Sequence, residues 1–431
     1  MNIAIDRRVF LQHATALCGV TSGLSLQGSE YGSDEVSPKR VAGIVTIFRR
    51  NSHADVLLSK ILKGWKEDGG PGPQLELVSL YVDQFPADDL AVELAKKHGF
   101  RLCQSIPEAL TLGTDQVVVD GVMSIGEHGD YPYNDKGQHL YPRRRFFEEI
   151  CDTMEKCQRV VPVFNDKHPG PEWGDAQWMA ERAKNLNVPW MAGSSLPVGY
   201  RDPHVTIPMG AELESSVAIG YSGLDIYGFH TLDVMQSILE RRAPKESEDN
   251  SGIVKQLRKP LEKGVRWVQS LPVRELSRLI ETGIINQQVL DAALRASKTD
   301  RQSILDSPPE DGAIFLIQYH DGYLAPVVML AGKAQAISVG FQVRGGPVTA
   351  TRMEERVEPR YPHFACLLKG IEQMFVTGKP SYPVERTLLS AGMLDALLSS
   401  RQAGGQRIET PHLAIEYQPA DYPFGDQIVP S

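Results

Sequence analysis

Short apolar runs alternate with amphipathic stretches from residue 41 to residue 192, and this alternation limits the fold more than any other feature of the chain. Strands separated by helix-length segments pair in parallel, with the helices crossing over the faces of the sheet. Residues 41–47 read as the first strand. Ser52, with Asp55 three positions on, makes a capping box that opens a helix burying Val56, Leu57, Ile61 and Leu62. Residues 75–82 form the second strand, ending at Asp83, and residues 88–97 a helix closed by Gly99. Residues 100–103, a short helix at 107–110 and a strand at 117–122 follow. A helix at 178–187 and a strand at 188–192 complete the series, after which Ser194 and Ser195 lead into a second domain.

Within that series, residues 160–169 (VVPVFNDKHP) stand out. A β-branched run of Val160, Val161 and Val163, bounded by turn residues, reads as a buried parallel strand. Ligands of open α/β sheets sit just beyond the carboxyl ends of the strands. Asn165, Asp166, Lys167 and His168 are delivered there and make a candidate site. The competing reading is a solvated loop built on an Asx-turn.

At 431 residues the chain is too long for one core, so two domains are expected, 37–196 and 197–431. A net charge of −9 argues against a nucleic-acid partner. No run of about 18 apolar residues is present to span a membrane. The five cysteines show neither CxxC nor zinc-finger spacing, and no metal site is assigned. Residues 1–36 are set apart from the fold. Asp6, Arg7, Arg8, Val9, Phe10 and Leu11 resemble a twin-arginine export signal, followed by a weakly apolar stretch and a polar linker. The chain is therefore expected to be exported to the periplasm.

Two later stretches carry polar chemistry. Residues 124–145 form a long loop holding Glu127, His128, Asp130, His139, three tyrosines and three arginines, read either as a lid over the site or as a solvated surface loop. On the helix at 228–242, His230, Asp233 and Ser237 make a polar stripe beside an apolar one of Leu232, Met235 and Leu239. A structural His–Asp pair is the competing reading. Residues 240–307 look like a charged, helix-rich insertion. A hairpin at 313–330 turning at Asp321 and Gly322, a strand at 336–343, and helices at 362–376 and 384–400 complete the chain, with His320 and His363 read as ordinary turn and helix residues.

ELAKKHGF, SIPEAL and DQVVVDGV in order, then NDKHP, then Gly228, His230 and Asp233, resemble the glucose–fructose oxidoreductase, inositol dehydrogenase and rhizopine-catabolism group (Gfo/Idh/MocA) over most of residues 40–415. The resemblance implies an N-terminal Rossmann-like parallel-sheet domain, followed by an α+β domain with an open, mainly antiparallel sheet. It implies an oxidoreductase acting on a sugar or cyclitol with NAD or NADP, and a homo-oligomer. Lys167, His230 and Asp233 would be catalytic. Thr46, Asp83, Glu127 and Lys167 would hold the cofactor, and His128, Asp166, His168 and Tyr227 the substrate. Two departures matter. VTIFRRNSH at 45–53 has no glycine where GxGxxG would let the backbone approach a pyrophosphate, and Ile226 stands where the group carries an aspartate. A glycosidase or lyase without net redox chemistry, and a non-catalytic carbohydrate-binding protein, are the alternatives.

Overall fold

Five consecutive residues of the first strand, from Val41 to Val45, are buried, as a central parallel strand covered on both faces requires. The computed structural model describes residues 37–243 and 260–428. Residues 1–36, read as an export signal and linker, and residues 244–259 of the stretch read as an insertion lie outside the described residues.

The first half alternates β1 (Lys39–Val45), α1 (His53–Lys63), β2 (Leu75–Val82), α2 (Ala91–His98), β3 (Arg101–Cys103), α3 (Ile106–Thr111), β4 (Gly121–Ile125), α4 (Arg143–Lys156), β5 (Val163–Asp166), α5 (Trp173–Leu186) and β6 (Trp190–Gly193). These strands make one sheet in the order β3-β2-β1-β4-β5-β6, every pair parallel. The order reverses between β1 and β4, which leaves a crevice at their carboxyl ends where such sheets bind ligands. Ser52 caps α1 through Asp55 N–H as expected. The strand expected at 117–122 begins later, at Gly121, and the strand expected from Val160 begins at Val163, so that Asn165 and Asp166 belong to β5 itself.

The second half contains β7 (Tyr200–Asp202), β8 (Leu213–Gly220), α6 (Ile226–Leu239), β9 (Val265–Leu271), α7 (Leu276–Glu281), α8 (Gln287–Ala296), α9 (Arg301–Asp306), β10 (Ala313–Tyr319), β11 (Leu324–Met329), β12 (Ser338–Val343), β13 (Val348–Glu354), α10 (Pro362–Thr377), α11 (Val384–Gln402) and β14 (Ile408–Glu409). Its sheet runs β14-β9-β10-β11-β8-β12-β13-β7, antiparallel except where β11 meets β8. The stretch read as a helical insertion thus contributes a strand, β9, paired with β10.

The chain does not stay on the second sheet. Phe364, Leu367, Leu368, Ile371 and Phe375 of α10 join the core formed by β1, β2 and α1. Pro38–Ser431 forms one compact unit that contains both sheets.

Candidate active site

At the end of β5 the backbone turns sharply. Lys167 adopts φ +67, a left-handed conformation uncommon for a residue with a side chain, while its N–H reaches Gly193 O at 3.1 Å. Its Nζ lies 2.8 Å from His230 Nε2 on the first turns of α6 and 3.4 Å from Glu127 Oε1, just beyond β4. Three separate elements therefore converge on the floor of one cavity of about 320 Å³. Its walls include His53, His128, Tyr227, Glu355, Tyr361 and His363.

The charges on that floor are ordered. Arg143, buried at the start of α4, donates to Glu127 Oε2 at 2.6 Å and to Gly126 O at 2.9 Å. Burial would raise the Glu127 carboxyl, but the charges of Lys167 and Arg143 overcome this and hold it well below the usual carboxylate range. His230 is driven the other way. Burial, then the charge of Lys167, lowers its pKa well below 6.5 and keeps the ring neutral. Because Lys167 donates to Nε2, the ring proton sits on Nδ1, which donates to Ser194 Oγ at 2.6 Å. Asp233 Oδ2 accepts from Ser194 N–H at 3.0 Å, fixing the serine that fixes the histidine.

Of the residues expected at a catalytic, cofactor or substrate position, Lys167, His230, Glu127, His128 and Tyr227 line the cavity. Others stand behind it. Asp233 positions Ser194 and is not among the residues that line the cavity. His168 is buried between Arg143, at 3.1 Å from its Nε2, Gly170 O and the Phe229 ring; it braces Arg143 and is not among the cavity's lining residues. Asp166 Oδ2 is 2.6 Å from His53 Nδ1 and orients that histidine. Thr46 is buried and donates to Glu127 O at 2.6 Å, which ties the end of β1 to the residue beyond β4. Asp225, one residue before the position where the resembled group carries its aspartate, accepts from His139 N–H at 2.9 Å and so anchors the long loop.

His53 and His363 were not legible as site residues. They meet because α1 and α10 pack together, the rings of both lying within 5 Å of Phe364, at 4.9 and 4.7 Å. The proton-accepting geometry around Ser194 was equally hidden, since serine at a strand end carries no distinctive spacing.

The same strand ends do not fit a dinucleotide held across them in the usual way. Ile47 and Phe48 occupy the turn where glycines would lie and are buried at 3% and 0% exposure. Phe48 O accepts from Leu90 N–H at 2.7 Å, tying the turn across the end of β2. The N-terminus of α1, which would meet a pyrophosphate, is capped by Ser52, and Asp55 in its first turn accepts from Asn51 N–H and from Arg360 at 2.7 Å. Asp83, expected to bind ribose hydroxyls, receives Tyr81 OH at 2.8 Å, Tyr131 OH at 2.7 Å and Arg145 at 2.5 Å. Burial would raise its pKa, but these donors pull it below 3.8. Tyr131 and Arg145 come from the long loop and the helix after it, so the protein itself takes up the ribose-binding groups.

Neither a protein-family model nor a curated protein matches the sequence. Among solved structures the chain is similar to GenD2 from gentamicin A biosynthesis, determined with NAD, at 13% identity and TM-score 0.55, covering 88% of this chain and 98% of that one. It is also similar to the apo scyllo-inositol dehydrogenase of Lactobacillus casei, at 9% identity and TM-score 0.52, covering 86% of this chain and 98% of that one. These likenesses establish the fold: a Rossmann-like α/β half joined to a mixed, mostly antiparallel sheet.

Proposed function

We propose that the cavity binds a sugar or cyclitol and transfers a proton at one of its hydroxyls, in a divergent relative of the Gfo/Idh/MocA oxidoreductases. The observation that carries this reading is the 2.8 Å contact between Lys167 Nζ and His230 Nε2 at the cavity floor. A substrate hydroxyl that displaces this contact accepts from Lys167 and donates to the lone pair of His230 Nε2 that the lysine gives up. Lys167 and Arg143 face the single carboxylate of Glu127, so the floor favours a developing oxyanion. Glu355, Tyr227 and Asn51 supply further polar groups to the walls, as a polyol requires.

Two reactions use such a proton transfer. Acid–base chemistry without net redox change, of the glycosidase or lyase kind, is favoured by the occupied ribose acid and the turn at Ile47 and Phe48. Dehydrogenation with NAD(P) is the second reading, favoured by likeness of fold to a dehydrogenase. The test is a panel of sugars and cyclitols incubated with the protein, with and without NAD⁺ or NADP⁺, followed by nicotinamide absorbance and by NMR of products. Nucleotide-independent turnover is expected. Turnover seen only with nucleotide, and with reduction of it, would establish the second reading instead. Native mass spectrometry of protein purified without added cofactor reports retained nucleotide and, together with it, whether the chain forms the proposed homo-oligomer.

The stretch from Asp6 to Leu11 supports export to the periplasm by the twin-arginine route. A reporter fused to residues 1–36 should reach the periplasm and should stay in the cytoplasm when Arg7 and Arg8 are both changed to lysine.

A further inference from the structure

Four of the described histidines line the cavity, and one of them differs from the rest in its partner. His53, at the start of α1, places Nδ1 2.6 Å from Oδ2 of Asp166, whose side chain is 1% exposed. An ionised carboxylate only accepts, so Nδ1 carries the proton and Nε2 keeps its lone pair. Nε2 has no hydrogen-bond partner among the described residues, and the His53 side chain remains 15% exposed. The other three histidines hold an added proton poorly. Burial first, and then neighbouring positive charge, lowers His128 to about 4, His363 to about 3 and His230 well below 6.5. None of these three is hydrogen-bonded to a carboxylate among the described residues.

Asp166 and Lys167 are consecutive at the end of β5. One holds a histidine of α1 and the other a histidine of α6, so a single strand tip sets two histidines with opposite partners in one cavity of about 320 Å³. The partners divide the chemistry. An imidazolium formed at His53 pairs at once with the Asp166 carboxylate, the arrangement of a base oriented by a third group. Lys167 is the one lysine or arginine among the described residues lining the cavity, and the two carboxyls there, Glu127 and Glu355, already accept from Arg143 and from Tyr221 OH. A base at one wall and a cationic donor at the floor suit the loss of a carbon-bound proton beside a carbonyl, where the developing oxyanion needs the donor. A polyol without a carbonyl has no carbon-bound proton acidic enough for imidazole to remove.

Resting on the reading of the cavity as a sugar or cyclitol site, we propose that its substrate carries a carbonyl group and that His53, held by Asp166, takes the proton from the hydroxyl-bearing carbon beside it. The C–H bond breaks, its electron pair forms the carbon–carbon double bond of an enediol, and the carbonyl π pair moves to oxygen, which takes a proton from Lys167. Return of the His53 proton to the former carbonyl carbon, with Lys167 and His230 moving a proton off the other oxygen, isomerises the sugar. Nothing is oxidised or reduced overall, and no nucleotide is consumed. His53 is then a catalytic residue and Asp166 a positioning one.

The test is proton NMR of D-fructose, D-tagatose and 2-keto-myo-inositol incubated with the full chain in deuterium oxide, with saturation transfer recorded on the same samples. The wild type should bind at least one of the three and exchange hydrogen for deuterium at the carbon beside its carbonyl. Exchange should fall about 10²–10⁴-fold in His53→Ala and recover in part with added imidazole, which a merely structural role would not give. In Asp166→Asn the loss should fall on kcat more than on KM. A ketone that binds the wild type without exchange, or exchange undiminished in His53→Ala, would overturn the proposal. Transfer to myo-inositol or glucitol with none to the three ketones would also overturn it, and would leave the sugar-site reading standing; transfer to neither group would remove that reading first. If His53→Ala fails to fold, exchange by the wild type and Asp166→Asn still decides.

Discussion

Lys167 Nζ and His230 Nε2 are 2.8 Å apart, one on the turn that ends β5 and the other on the first turns of α6. Neither element could bring them together alone. The strand end is placed by the parallel sheet, and the helix by its packing against β8, β11 and α11. What their meeting creates is a buried donor beside a buried acceptor, opening onto a cavity large enough for a monosaccharide.

Removing either partner should disable proton transfer while leaving the fold. Lys167→Met and His230→Asn are each expected to lower turnover of the substrate found in the panel by about 10²–10⁴-fold. Circular dichroism and Tm should stay close to wild type for His230→Asn. Steady-state rates of the two variants and the double variant, which should be no worse than the poorer single, provide the check.

Arg143 is expected to matter for stability more than for binding. It neutralises a carboxylate that is 3% exposed, so Arg143→Met strands a buried charge. Breaking such a pair from one side costs about 3–5 kcal/mol. Urea unfolding should report a loss of that order, and Arg143→Met combined with Glu127→Met should recover part of it.

The protein should lose stability as pH falls below neutrality. His128, lowered to about 4 by burial and then by His53, and His363, lowered to about 3 by burial with His53 and Lys60 next, are neutral in the folded state where the unfolded chain already binds protons. Between 6.5 and those lower values the unfolded state takes up more protons, so the stability they contribute is complete above 6.5 and drains away as pH drops. Glu127, also depressed, adds a further loss below 4.5. Tm measured from pH 8 to pH 4 should decline from roughly pH 6.5 downward, and His363→Phe should flatten the curve.

The return of α10 to the first sheet can be tested at one atom. Gly121, at the start of β4, would place a Cβ 2.6 Å from Phe375 of α10. Overpacking of this kind costs about 1–3 kcal/mol. Gly121→Ala should lower stability by that amount, and Phe375→Leu in the same chain should restore most of it.

Much of this arrangement was readable in the chain. β2 runs from Leu75 to Val82 as its apolar pattern indicates, the hairpin turns at Gly322 with φ +83, and Lys167 stands at a strand tip because polar residues follow a β-branched run. The strand boundaries at Gly121 and Val163 were displaced because buried loop residues such as Val117, Val119 and Val161 carry the same apolar signal as strand. β9 was read as part of a helical stretch since its neighbours, α7 and α8, dominate the periodicity around it. The site residues that escaped notice are those defined by tertiary crossings. His363 reads as any helix residue until α10 lies against α1, and Asp83 reads as a ribose ligand until Tyr131 and Arg145 fold over it. Sequence spacing reports neighbours along an element and is silent about what another element brings to it.

The most direct measurement is saturation-transfer NMR on a mixture of sugars and cyclitols with the wild-type protein, Lys167→Met and His230→Asn. The account predicts transfer to at least one polyol in the wild type, strongest at protons beside a single hydroxyl, and its loss in both variants, with Tm unchanged in His230→Asn. Transfer of equal strength in all three proteins, or none in the wild type, would contradict it.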